Sequence, residues 1–235
     1  MIKIQTIASS SKGNCHLIND GSTQILLDCG IAFKEIQKAL DFKTSGLAGI
    51  LISHEHGDHA KGIKDAIKAG IDCFMTQGTA DALGVNGYRV RLIQPKTQFK
   101  LGTWIVLPFN VQHDAADPVG FLLANQSGEK LLYATDTYYI RYRFNGLTHI
   151  MIEVNHSRDI LEANVRSGVV PVAMKKRLLR SHMNLETAKD FLRANDLSKV
   201  QEIHLIHLSD GNSDEARFKR EIQALTGKMV FVAQA

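Results

Sequence analysis

The chain has 235 residues, 44% hydrophobic and 22% charged, with 28 Lys and Arg against 24 Asp and Glu for a formal charge of +4. That balance excludes a disordered chain, a collagenous repeat and a coiled coil, and the length gives one domain over 1–235 a substantial core. The longest nearly uncharged apolar stretch, 46–53, is too short for a membrane span; the start turns polar too early for a signal peptide; and three widely spaced cysteines fit a reducing cytoplasm.

Short apolar runs at 2–7, 15–19 and 24–28 read as strands, with turn chemistry at 9–14 and 20–22 between them. Phe33, Ile36, Gln37 and Leu40 follow helical spacing. The unbroken run 50–52 predicts a buried strand, and 58–69 a helix with Ile63, Ala66 and Ile67 facing inward. Strands follow at 89–93, 103–109, 119–124, 130–134 and 149–154, then helices at 159–166 and 185–194. A strand at 200–206, a helix at 214–225 and a strand at 229–232 complete the chain. Strand-heavy halves with helices between them predict an α/β sandwich, sheets inside and helices outside.

Histidine is over-represented, with ten residues. Four ligand candidates, His54, His56, Asp58 and His59, fall in His54-Glu55-His56-Gly57-Asp58-His59, directly after the strand 50–52. Imidazoles at i and i+2 can converge on one ion, Asp58 and His59 can face another, and Gly57 permits a bend between the pairs. Nitrogen and oxygen donors of this mix suit Zn²⁺, Mn²⁺ or Fe. His113, Asp136 and His207 each follow a later strand and are further ligand candidates. His16, His149 and His204 lie in or beside strands and read as structural.

Charge is uneven: the segment 137–193 holds ten Lys or Arg against five Asp or Glu. Its densest part, Met174-Lys175-Lys176-Arg177-Leu178-Leu179-Arg180, is either a solvated face or a surface for phosphates. His182 follows it directly.

The pattern His54-x-His56-x-Asp58-His59, followed in order by His113, Asp136 and His207, resembles the metallo-β-lactamase fold over nearly the whole chain. Within that superfamily it looks most like the YycJ/WalJ-type metal-dependent exonucleases. The matching stretches are 9–15, Ile152-Glu153-Val154-Asn155-His156, Ser181-His182-Met183-Asn184 and His207-Leu208-Ser209-Asp210-Gly211-Asn212. Departures from the family forms are Val154 for Ala, Ser181 for Gly, Met183 for Leu, and no Ser before Asn184.

The resemblance implies an αββα sandwich of two mixed β-sheets flanked by helices, and two divalent metal ions per chain, Zn foremost with Mn or Fe as alternatives. His54, His56 and His113 would hold one ion, Asp58, His59 and His207 the other, and Asp136 would bridge them. A bridging hydroxide would be the nucleophile, its pKa brought to roughly 7 by the metals. Asp58 and His182 are the catalytic candidates, with His182 contacting phosphate or protonating the leaving group. Asn155, His156, Lys175, Lys176, Arg177, Arg180 and Ser181 are candidate substrate-binding residues, and Glu153 and Asp28 would orient ligands. The implied activity is hydrolysis of nucleic acid, as a 5′ to 3′ DNA exonuclease in the cytoplasm, with no membrane partner and the oligomeric state left open. The alternatives are a small-molecule metallo-hydrolase acting on a cyclic or short phosphodiester, thioester or lactam, and a non-catalytic binding protein.

Overall fold

A computed structural model describes residues 1–233. Its strands make two mixed sheets, of six and seven strands, flanked by helices. This is the α/β architecture that the alternating runs predict. The chain divides into two compact units: Met1–Asn110 with Ala115–Glu129, and Val111–Asp114 with Lys130–Ala233.

In the first unit, β1 (Lys3–Ser10), β2 (Gly13–Asn19) and β3 (Gln24–Leu27) form an antiparallel meander. Next to β3, β4 (Leu47–Leu51), β5 (Cys73–Met75) and β6 (Val90–Leu92) add in parallel. The crossovers carry α1 (Phe33–Ala39), then α2 (Gly57–Ala60) and α3 (Ile63–Lys68), then α4 (Gln77–Leu83). A parallel strand covered on both faces has no polar side, which is why Ile50, Leu51 and Ile52 are consecutive, apolar and fully buried. Ile50 and Ile52 pack into a core with Leu26, Ile36, Ile63, Cys73 and Met75. Each such aliphatic side chain contributes about 1.5–3 kcal/mol of burial. Cys15, Cys29 and Cys73 are buried free thiols; burial pushes all three above the usual thiol range, Cys73 to about 12. The strands β7 (Phe99–Leu101), β8 (Trp104–Asn110) and β9 (Val119–Ala124) form a second antiparallel meander.

The second unit holds four parallel strands in chain order, β10 (Lys130–Ala134), β11 (His149–Glu153), β12 (Glu202–Ile206) and β13 (Met229–Val232). Three helices, α5 (Arg158–Arg166), α6 (Val172–Ser181) and α7 (Leu185–Ala194), lie between β11 and β12, and α8 (Glu215–Thr226) between β12 and β13. The side chain of Asn184 caps α7 by accepting from Thr187 N, and Leu185, Ala188, Phe191 and Leu192 are its buried residues.

Two local expectations change. The segment 9–14 is not a loop: β1 and β2 pair as far as Ser10 and Gly13, leaving only Ser11 and Lys12 as the turn. The helix expected over 58–69 is interrupted, because Gly62 N donates to Cys29 O rather than staying in the helical ladder. The basic run 174–180, described above only by its charge, lies within a helix, α6.

Candidate metal centre

The C-terminal end of β4 releases Ser53, His54, Glu55 and His56 before α2 opens with Asp58 and His59. Loops at the carboxyl ends of parallel strands are where α/β folds place ligands. The imidazoles are close: ring centroids lie 4.7 Å apart for His54 and His56 and 4.3 Å for His54 and His59. Asp58 and His59 likewise offer donor atoms within 4.8 Å of each other.

Beneath them sits Asp28, fully buried and held at φ 58 in the left-handed region. Its Oδ1 accepts from Ser53 N at 2.8 Å, and its Oδ2 from Ser53 Oγ at 3.0 Å. Oδ2 also takes the Nδ1 proton of His59 at 2.7 Å. Since the Ser53 hydroxyl proton goes to Asp28, Ser53 Oγ accepts from His54 Nδ1 at 3.0 Å. Both imidazoles therefore carry their proton on Nδ1 and a lone pair on Nε2, the form that binds metal. Asn14 Nδ2 donates to Ser10 O at 2.9 Å and Asp58 O at 3.2 Å, and lies 3.2 Å from His59 Nε2. Gly30 is needed here, since a Cβ on it would lie 1.7 Å from Asp58 O and 2.7 Å from Asn14 N. Gly57, by contrast, keeps a negative φ and open space around its Cα, so the bend assigned to it is made without a glycine-specific conformation.

In the second unit His113 Nδ1 donates to Ser181 O at 2.9 Å, which leaves its Nε2 lone pair 3.3 Å from Asp136 Oδ2. His207 Nδ1 lies 2.6 Å from Asp136 Oδ1 and 3.3 Å from Glu153 Oε1. Asp136 and His207 follow β10 and β12 at φ 45 and 53. Left-handed backbone at a non-glycine residue costs about 1–3 kcal/mol, and such strain collects at functional sites. Asp28, Asp136 and His207 share it.

Glu153 ends β11 and is fully buried. Its Oε2 accepts from Thr137 N at 2.9 Å and Met183 N at 3.1 Å, and its Oε1 from His182 Nδ1 at 2.6 Å. Asp136, Glu153, His182 and His207 offer donor atoms all within 4.8 Å of one another. Burial pulls the His182 imidazole down, but the charge and hydrogen bond of Glu153, with Asp136 behind it, outweigh burial and hold it above its ordinary value. Glu153 answers in kind: burial favours its neutral form, yet His182 keeps it below the usual carboxylate range. Burial lowers His113, against the pull of Asp136.

Of the candidate substrate residues, Asn155 and His156 are buried, with Asn155 Nδ2 donating to His207 O at 3.1 Å. Neither ring nitrogen of His156 has a hydrogen-bond partner among the described residues, and burial lowers that imidazole to about 4. Ser181 is also buried, its Oγ donating to Arg177 O at 2.8 Å. Lys175 pairs with Glu162 at 3.5 Å and Arg177 with Asp114 at 3.1 Å, while Lys176 and Arg180 are exposed. His16, His149 and His204 are buried in β2, β11 and β12. Ser53, Asn14 and Thr137 escaped the sequence reading as site residues. The turn-like 9–15 stretch was the one signal for Asn14.

The model of the Beta-lactamase superfamily domain matches residues 23–208. Exodeoxyribonuclease WalJ of Streptococcus pneumoniae is 29% identical over 228 residues, covering 90% of this chain and 83% of its own. Exodeoxyribonuclease YycJ of Bacillus anthracis is 28% identical over 253 aligned positions, covering 100% and 93%. Among solved structures, the metallo-beta-lactamase fold protein YhfI from Bacillus subtilis superposes with a TM-score of 0.74 at 14% identity, covering 100% of this chain and 97% of its own.

Proposed function

The chain belongs to the beta-lactamase superfamily, and from that premise we propose that it is a metal-dependent phosphodiesterase that hydrolyses nucleic acid, acting as a 5′ to 3′ DNA exonuclease. The observation that carries this reading is a junction. Helix α6 has four cations and no acidic residue, and it ends at Ser181, whose carbonyl oxygen accepts from His113, and at His182, which is paired with buried Glu153. A phosphate-binding face thus leads directly into a set of metal-type donors. The two exodeoxyribonuclease relatives support DNA as the substrate.

The donor set fits hard or borderline divalent ions: imidazole and carboxylate only, with Nδ1 protons held by Asp28, Ser53 and the Ser181 carbonyl oxygen. His54, His56 and His113 would hold one ion, Asp58, His59 and His207 a second, and Asp136 both, with Zn²⁺ foremost and Mn²⁺ or Fe as alternatives. When bound, such a pair supplies Lewis-acid activation of a water and of a phosphoryl oxygen. Asp58 accepts the proton of the attacking water. His182, held above its ordinary value by Glu153, donates its Nε2 proton to the oxygen leaving phosphorus. Lys175, Lys176, Arg177 and Arg180 hold phosphates, while Ser181, Asn155 and His156 shape the ground beneath. A cytoplasmic setting is supported by the three buried free thiols. Among the described residues no helix is long and apolar enough to cross a membrane.

The test is incubation of purified protein with end-labelled single- and double-stranded DNA and Mn²⁺ or Zn²⁺. The expected result is shortening from the 5′ end by wild type and none by His56→Ala. Absence of cleavage, or equal cleavage by the variant, refutes the proposal. Turnover confined to a glutathione thioester or a cephalosporin would move the enzyme to the small-molecule class.

A further inference from the structure

Helix α6 is the least buried helix of the second unit that is also strongly charged: Ser181 is its one buried residue. The loop before it, 167–171, tucks Val170 inward but leaves Val169 at 71% exposure, and Val172 follows at 59%. Met174 and Leu179 are exposed as well. On the helix, Val172, Lys176, Leu179 and Arg180 stand at i, i+4, i+7 and i+8, which is one stripe. A stripe meant for a core would be apolar throughout, and a solvated one polar throughout; this one alternates valine and leucine with two cations. Lys176 and Arg180 have no ion-pair partner among the described residues, whereas Lys175 and Arg177 are each matched by an acid. Like charges at i and i+4 repel, so the pair gains from a polyanion laid across it.

Phosphates satisfy Lys176 and Arg180 but offer nothing to valine or leucine. Base faces do, and they are open only where a strand is unpaired; in a duplex they are stacked away. A membrane fits the stripe less well, because binding in a lipid interface requires apolar and basic faces to be segregated, not interleaved. The helix then delivers whatever lies on it to His182, since ten residues at 1.5 Å each span about 15 Å.

We infer that α6 and the loop before it form a strand guide: one nucleic-acid strand lies along the helix with phosphates on Lys176 and Arg180, and Val169, Val172 and Leu179 meet its unpaired bases. The substrate is therefore single-stranded or frayed over the stretch leading into the site. This deepens the nuclease reading and rests on it.

The test measures binding by fluorescence anisotropy in the non-cleaving His56→Ala background. The probes are a single-stranded oligonucleotide, a blunt duplex, and the same duplex with an unpaired 5′ end. Val169→Ser with Val172→Ser is expected to weaken binding of the single strand and the frayed duplex by about tenfold. It leaves the blunt duplex and the salt dependence unchanged. Lys176→Ala with Arg180→Ala is expected to lower the slope of log K against log salt by about 1.4 on the single strand, at about 0.7 per phosphate contact. Equal weakening on all three probes by the valine variant, or an unchanged slope in the cation variant, overturns the guide. So does loss of binding to phosphatidylglycerol vesicles in place of loss on DNA. The two readings fail separately. Wild type that cleaves blunt and frayed DNA alike, with both variants cleaving as it does, keeps the nuclease and removes the guide; wild type that cleaves no nucleic acid removes both.

Discussion

Replacing Glu153 by Gln keeps shape and removes one charge from the interior of the second unit. The carboxylate meets four N–H groups, at 2.9 Å from Thr137 N, 3.1 Å from Met183 N, 2.6 Å from His182 Nδ1 and 3.3 Å from His207 Nδ1. An amide oxygen can serve the two backbone donors, but the amide nitrogen then points its protons at two imidazole Nδ1–H groups. His182 relieves that clash by giving up its Nδ1 proton and with it the cationic form, whereas His207 Nδ1 keeps Asp136 Oδ1 as an acceptor at 2.6 Å. A hydrogen bond to a charged group contributes about 1.5–3 kcal/mol, and removing one partner of a buried charge pair costs about 3–5 kcal/mol. Glu153→Gln is therefore expected to lose about 3–5 kcal/mol in urea unfolding of the metal-free protein. It should also bind Zn²⁺ roughly 10–100-fold more weakly by calorimetry. The His182 imidazole should fall back from its raised position, since the group that raised it is gone. A variant with wild-type unfolding midpoint and wild-type Zn²⁺ affinity would show that Glu153 neither holds His182 nor supports His207.

Three further outcomes follow from named contacts. Gly30→Ala forces a methyl to 1.7 Å from Asp58 O and is expected to cost about 1–3 kcal/mol or more, read as a lower Tm; an unchanged Tm would mean the loop yields freely. His156 is buried and lowered from 6.5 to about 4, so the unfolded chain takes up its proton first as pH falls. Its stabilising effect is present above about pH 6.5 and is lost toward pH 4, about 3 kcal/mol in all at 1.36 kcal/mol per unit. His156→Leu, which removes two ring nitrogens without hydrogen-bond partners, should flatten unfolding free energy between pH 7 and pH 5; an unaltered pH slope would refute the assignment. Adding Zn²⁺ to the chelator-stripped protein at about a hundred times its Kd should stabilise it by about 2.7 kcal/mol for each site, and an unmoved Tm would argue against native-state binding.

The candidate donors were legible because they are local. Four ligand-type residues lie within six positions after an apolar run, and a strand end is where such residues become exposed to a ligand. His113, Asp136 and His207 were legible as residues after strands, although each alone would pass for an ordinary surface group. Of their supports, Asp28 and Glu153 were legible only as candidates to orient some ligand, and which donor each one holds was not. Asp28 reaches His59 across 31 residues, Asn14 reaches Asp58 across 44, and Glu153 reaches His207 across 54. No periodicity records such contacts.

The sequence by itself determined the α/β class, the positions of the buried strands and the candidate donors, since burial and ligand chemistry are properties of side-chain types in short runs. Tertiary structure alone decided which imidazole nitrogen carries the proton, why Gly30 rather than Gly57 must be glycine, and that the basic run is an exposed helix ending at His182. Those are properties of atoms brought within about 3 Å by folding, where one carboxylate or one carbonyl oxygen fixes a proton on its partner.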